Sequence, residues 1–291
     1  MEALRRRIEV RVMSLSGLAL GQIDYEHPEG DPGLFGPESM PWEVHSDFTS
    51  MLVGGIASLL LQMLHPLALA GVWDHSNFRQ DMLGRLRRTG QFVAGTSFAP
   101  TASADWLIDK VRTIHLKVTG TAADGRRYAA SDPALLTWVH VAEVSCFLAG
   151  YLRYLNPQLS GAEQDRYYAE IALVAERLGA TDVPKSRQAV ADYLDAMRPQ
   201  LVCDERTREI CRILLNAPAP SRSAVPISRL FMQAGIDLLP AWTQQQLGLQ
   251  QAAWQRPLIR AGVHSIAPLL RWAVRNGASH RSRKRMGLPP R

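Results

Sequence analysis

Residues 48–73 carry no Asp, Glu, Lys or Arg. A stretch this long has two ways to leave water: it crosses a bilayer, or it becomes the centre of a globular fold. Gly54, Gly55, Gln62, His65 and Pro66 interrupt it, and Pro66 kinks or ends a helix near His65. The expectation is a buried central helix, capped by Asp47 or Thr49. The chain has 291 residues, 46% of them hydrophobic, enough to wrap such a helix in a large core.

Elsewhere apolar residues recur at spacings of three and four, and no run alternates as a strand bounded by turns does. Residues 1–20 read as a helix with Arg5, Arg6, Arg7 and Arg11 as its charged part. Residues 25–42 hold four prolines and three glycines and read as an arm or loop, not a packed element. A short basic helix over 81–93 and a loop over 95–101 follow. Ser103 is the expected cap of the next helix, which carries His115 and ends at Gly120, before an Asp124-Gly125 turn. Asp132-Pro133 opens a helix to Leu155. Ser160 and Glu163 form a capping-box pattern for a helix stopped by Gly179. Further helices are expected from Ser186 to Met197 and from Arg206 to Asn216. Two or three more fit 227–239, 242–260 and 263–275. The fold class is all-α, one globular multi-helix domain of about ten helices.

The net charge is +6, and the six Lys or Arg of residues 275–291 equal it, with no acid among them. A basic tail on a nearly neutral body argues against nucleic acid as a dedicated partner; a solvated tail is expected, with peripheral membrane contact through it as the second reading. Cys146, Cys203 and Cys211 show no CxxC pairing, which argues against a disulfide framework or a thiolate metal site and fits a reducing compartment. No signal peptide is evident, so a cytoplasmic location is expected.

Walker A, GxGxxG, HExxH, GxSxG and EF-hand patterns are all missing. Histidines and arginines in apolar helices remain. Ile108, Val111, His115 and Val118 share one helical face, apolar apart from the imidazole, with Arg112 one turn before it. Such an imidazole is either a core histidine bonded to a carboxylate or carbonyl, or a metal ligand. His140 lies one turn before Glu143, as a buried pair, a ligand with its neighbour, or a proton relay. Arg85, Arg88 and Thr89 share a face, either solvated or turned to a pocket where a guanidinium binds a carboxylate. His65 ends the apolar helix, and His75 sits in a turn.

Four segments together resemble a known family: LLLQMLHPLALAGVWDHSNFRQDMLGRLRRTGQFV at 59–93, VRTIHLKVTGTAADGRRYAASDPALLTWVH at 111–140, LSGAEQDRYYAE at 159–170 and PKSRQAVADYLDAMRP at 184–199. They are similar to the DUF2236 family, the catalytic domain shared by MpaB oxygenases and rubber oxygenases. The resemblance covers roughly residues 45–240, leaving an N-terminal helix and arm over 1–44 and C-terminal helices with the basic tail over 241–291. It implies a helical domain holding b-type haem, with iron on one proximal histidine. His115 matches that histidine, with His140 in reserve. Arg85 and Thr89 match an arginine and threonine near bound oxygen or a propionate; Arg88 and Arg112 are further cofactor-binding candidates. The chain departs from the rubber enzymes at Arg88, where they offer a lysine to the iron, and in lacking an acid within 48–73. The implied partners are O2 and a small apolar, unsaturated or aromatic substrate, with a homodimer also open. Two other readings stand beside this one: a haem carrier, sensor or peroxidase-like protein, and a haem-free helical protein that binds an apolar ligand.

Overall fold

The structure, a computed structural model, describes residues 1–15, 17–219 and 221–289. Ser16, Pro220 and the end of the basic tail, including Arg291, lie outside the described residues. The described residues form fourteen α-helices and one two-stranded hairpin. In chain order the helices are α1 Glu2–Leu15, α2 Met40–His45, α3 Phe48–Gln62, α4 Pro66–His75, α5 Met82–Phe98, α6 Thr101–His115 and α7 Pro133–Tyr154. Then come α8 Gly161–Leu178, α9 Arg187–Met197, α10 Glu205–Leu215, α11 Val225–Leu238, α12 Ala241–Leu247, α13 Gln255–Ala273 and α14 Ala278–Arg285.

The charge-free stretch becomes two helices. Asp47 caps α3 by accepting from the Ser50 amide at 2.9 Å. Pro66 then opens α4, and the two axes bend by 103°. His65 caps α4, its Nδ1 accepting from the Ala68 amide at 3.4 Å. Val53, Ile56, Leu60, Leu61 and Leu64 are buried, so this is a core pair. Its main neighbour is α7, which is long and apolar enough to cross a membrane but has 72% of its apolar window buried in the fold. The two helices meet backbone to backbone. A Cβ at Gly54 would stand 2.8 Å from the Cys146 carbonyl oxygen, and one at Gly150 would stand 2.6 Å from that of Ser50. Glycine alone permits this approach. Trp138, Phe231, Leu247 and Val263 join the same core, so α11–α13 pack on the central helices without a boundary near residue 240. A second core of Val44, Val141, Tyr151, Tyr167 and Ile171 links α2, α7 and α8.

Several expectations need correction. The basic helix does not stop at Val93; Asp81 caps it and it runs to Phe98, because Gly95 is a contact point rather than a breaker. Ser103 is not a cap: α6 starts at Thr101, after Pro100. The helix ends at His115, not Gly120. Residues Thr119–Thr121 instead pair antiparallel with Arg127–Ala129 as β1 and β2, around the Asp124-Gly125 turn, where Gly125 has φ +84°. The hairpin is pinned to α4 by His75 Nε2 donating to the Thr119 carbonyl at 3.1 Å and by Tyr128 donating to Asp74 at 2.7 Å. Near the C-terminus, Gly248 in the left-handed region ends α12, and α13 runs unbroken through residues 260–263. The glycine-rich arm is packed, with Tyr25 and Trp42 buried against Phe98 and Ala278. The basic tail is not simply solvated. In α14, Arg285 is buried, donating to the carbonyls of Asp31 at 2.7 Å and Tyr25 at 2.9 Å, and Lys284 pairs with Glu26.

Candidate active site

The α5–α6 hairpin carries the arginine and histidine of the sequence motif, one on each helix. A two-residue turn folds α6 back along α5, and a Cβ at Gly95 would meet Leu107 Cδ1 at 2.1 Å, which fixes the register of the pair. Arg85 lies ten residues before Gly95 and His115 eight after Leu107. At 1.5 Å per helical residue both fall about 12–15 Å from that contact, at the open end of the hairpin.

Arg85 is half-buried, and among the described residues no carboxylate or carbonyl pairs with its side chain. Burial first, and the neighbouring Arg88 charge second, push its pKa down to about 10. A guanidinium in that state favours an anion. Its motif companions are placed less favourably. Thr89 is exposed. Arg88 is exposed too, held by Asn77 at 3.3 Å and Asp81 at 3.5 Å. Arg112 is exposed and leans on Asp109 at 3.8 Å. The shared face read for Arg85 and Thr89 is thus half-covered at Arg85 and open at Thr89. His115, the last residue of α6, is half-buried; its Nδ1 is enclosed without a partner, and burial lowers its pKa.

A second set of buried polar groups lies where α2, α5, α7 and α8 meet. His45 is bonded on both sides, Nδ1 to Ser97 Oγ at 2.7 Å and Nε2 to the Tyr167 hydroxyl at 2.8 Å. Ser97 gives its own proton to the Val93 carbonyl at 2.7 Å. That assigns the tautomer: Nδ1–H donates to Ser97, and Nε2 accepts from Tyr167. Burial, with the His140 charge second, pushes the His45 pKa down to about 3, so the ring is neutral. His140 is buried with Nε2 enclosed and unpartnered, and burial pushes its pKa down to about 4. Glu143 is half-buried and pushed up to about 7 by burial. The expected His140–Glu143 pair does not form; no hydrogen bond or ion pair joins them. Sequence reading missed His45, Ser97 and Tyr167, whose contact spans 52 and 122 positions.

Residues 42–276 match the catalytic-domain family of ER-bound oxygenase mpaB/B′ and rubber oxygenase. The chain belongs to this oxygenase family. No significant match exists among curated proteins or among solved structures. The match begins inside α2 and takes in all of α13, so both histidine sites lie within the oxygenase domain, while α14 with His280 lies outside it. Membership makes the chain an enzyme of the oxidoreductase class.

Within this oxygenase, three of the buried or anchored histidines have structural work: His45 in its hydroxyl bridge, His65 as a cap, and His75 on the hairpin. His115 and His140 are the two in the domain with an enclosed, unpartnered ring nitrogen, each a neutral donor able to ligate a metal. No group of three or more His, Cys, Asp or Glu among the described residues could hold a metal ion. Surface clefts of about 630 Å³ beside Arg198 and Trp242, and about 290 Å³ beside Leu69 and Arg206, include none of these donors.

Proposed function

We propose that this oxygenase works with a b-type haem whose iron is held by His115, and that it acts with O2 on a small apolar, unsaturated or aromatic molecule. Two observations support the reading: an enclosed His115 nitrogen without a partner and an unpaired Arg85 guanidinium, both toward the open end of the α5–α6 hairpin. The donor chemistry fits the group. A porphyrin brings four nitrogens to iron, so the chain needs to add one imidazole and a cation for the propionates. When bound, haem supplies the redox-active iron at which O2 reacts.

The chain's own residues then have these tasks. His115 offers a neutral imidazole, which its lowered pKa keeps unprotonated at neutral pH. Arg85 offers two parallel N–H donors to a carboxylate. Arg112, three residues before His115, and Arg88 are weakly tethered at the surface and can turn to a second carboxylate. Thr89 is assigned to the rim, where its hydroxyl can donate to an oxygen atom.

His140 is the second reading, favoured by one observation: its Nε2 is enclosed in a residue that is itself buried. Absorbance of protein purified after haem supplementation tests both. A Soret band that disappears in His115→Ala and survives in His140→Ala is the expected result. Loss only in His140→Ala moves the ligand to α7, and no Soret band in the wild-type protein overturns the haem reading. Product formation from O2 then separates an oxygenase from a carrier or sensor.

A further inference from the structure

Helix α13 has an uncharged apolar face turned to solvent. Its inner face is taken up in the fold: Val263, Ala267 and Ala273 are buried, and its arginines are engaged by internal acids. Arg256 and Arg260 bind the buried Asp237 at 2.8 and 2.7 Å, and Arg271 binds Asp47 at 2.7 Å. The outer arc runs from Trp254 through Leu258, Ala261 and Pro268 to Leu269, at helical spacing. Trp254 is 68% exposed, Leu258 64% and Leu269 46%. No Asp, Glu, Lys or Arg lies on that arc; His264 and Ser265 are its polar members.

The surroundings are cationic. Residues 238–275 carry Arg256, Arg260, Arg271 and Arg275 and no acid, and Arg256 and Arg260 share the single carboxylate of Asp237 with Arg153, which leaves positive charge in excess beside the helix. Helix α1 lies against the C-terminal end of α13, Arg5 donating to the Ala273 carbonyl at 2.8 Å and Glu9 accepting from the Arg275 amide at 2.8 Å. It adds exposed Leu4 and Val10, and its Arg7 and Arg11, like Arg275, form no ion pair among the described residues.

We propose that this face, α13 with the adjoining surface of α1, docks on an anionic lipid bilayer. A helix lying in the interface needs an apolar strip and nearby cations, and both are present. A second copy of the chain fits less well. The exposed side chains of α13 offer on the order of 400 Å², about half of what each partner gives to a stable interface. Two copies would also bring like charges together, whereas an anionic surface neutralises them. The proposal is independent of the haem reading and of the α14 tail, whose Arg285 is buried.

Flotation with vesicles tests it, comparing phosphatidylcholine alone with phosphatidylcholine mixed with phosphatidylserine. The full chain should float with the mixed vesicles and release as salt rises. A Trp254→Ser/Leu258→Ser/Leu269→Ser variant should lose binding about tenfold or more, with an unchanged circular dichroism melt, since these side chains are exposed. Leu173→Ser on α8 should bind as wild type. No flotation of the wild-type chain, or equal flotation of the triple variant, overturns the proposal. A dimer seen by light scattering that the triple variant dissociates, without any vesicle binding, assigns the face to a second copy and overturns it as well.

Discussion

Glu143→Gln should stabilise this protein at alkaline pH and leave it unchanged at acid pH. The Glu143 carboxyl is half-buried with no partner, and burial raises its pKa from the ordinary 4.5 to about 7. The folded chain therefore holds that proton more tightly than the unfolded chain does. Its contribution is fully present below about pH 4.5 and is lost as pH rises through 7. At about 1.4 kcal/mol per pH unit, the interval from 4.5 to 7 corresponds to a ceiling of about 3.5 kcal/mol. Glu143 retains some solvent, and screening brings the expected gain of the neutral amide to about 2 kcal/mol. With an m-value on the order of 3 kcal/mol/M, that is a rise of ~0.7 M in the urea midpoint. The assay is paired urea titration of wild type and variant at about pH 4.5, 6 and 8. His45 and His140, pushed down to about 3 and 4, destabilise both proteins alike as pH falls below about 6.5, so the difference isolates Glu143. A gap that is flat with pH, or one in which the variant is less stable at pH 8, would refute the reasoning: the carboxylate would then be charged and partnered in the fold.

Three further outcomes follow from packing and polar contacts. Gly150→Ala places a Cβ 2.6 Å from the Ser50 carbonyl and should cost about 2 kcal/mol in urea titration, because neither α3 nor α7 can retreat from a buried core. Asp237→Asn removes the charge that holds Arg153, Arg256 and Arg260; it should cost about 2–3 kcal/mol, and high salt should narrow its deficit against wild type. Ser160→Ala breaks the capping box in which Ser160 accepts from the Glu163 amide and Glu163 accepts from the Ser160 amide, for a loss of about 1 kcal/mol and a fall of about 2–4 °C in Tm.

Elements with chemical punctuation were readable in the chain. Asp47, Asp132, Ser160 and Ser186 each cap the helix expected of them, since a short oxygen-bearing side chain before an apolar run satisfies free amides whatever packs later. What failed depended on partners distant in sequence. Gly95 looks like a breaker until Leu107 is seen against it. The three-residue strands are too short to alternate, and the hairpin holds because His75 and Tyr128 tie it to α4. The same reason explains Arg285, which no pattern distinguishes from its neighbours in a basic run, yet which the arm's carbonyls select for burial.

The site divides along the same line. Arg85 and His115 fall toward the same end of the α5–α6 hairpin because they stand nearly equal numbers of residues from its turn; that they serve one site belongs to the haem proposal. Helix phase is less forgiving. Four residues advance a helix by 400°, so Thr89 sits about 40° round from Arg85, enough at the margin of a buried stripe to carry one side chain inward and leave the other exposed. The His45–Ser97–Tyr167 bridge was invisible because its three members come from three helices with no shared spacing. Its consequence for function is subtractive. By satisfying both nitrogens of His45 it removes a buried imidazole from the pool of donors, while His65 is engaged as a cap and His75 on the hairpin. The enclosed, unpartnered imidazoles left among the described residues of the oxygenase domain are His115, the ligand of the haem proposal, and His140, one turn before a carboxyl whose pKa burial raises to about 7. The proposed haem, anionic through its propionates, would need a cation such as Arg85 within reach of its ligand, whereas an ionised carboxyl next to His140 would oppose it.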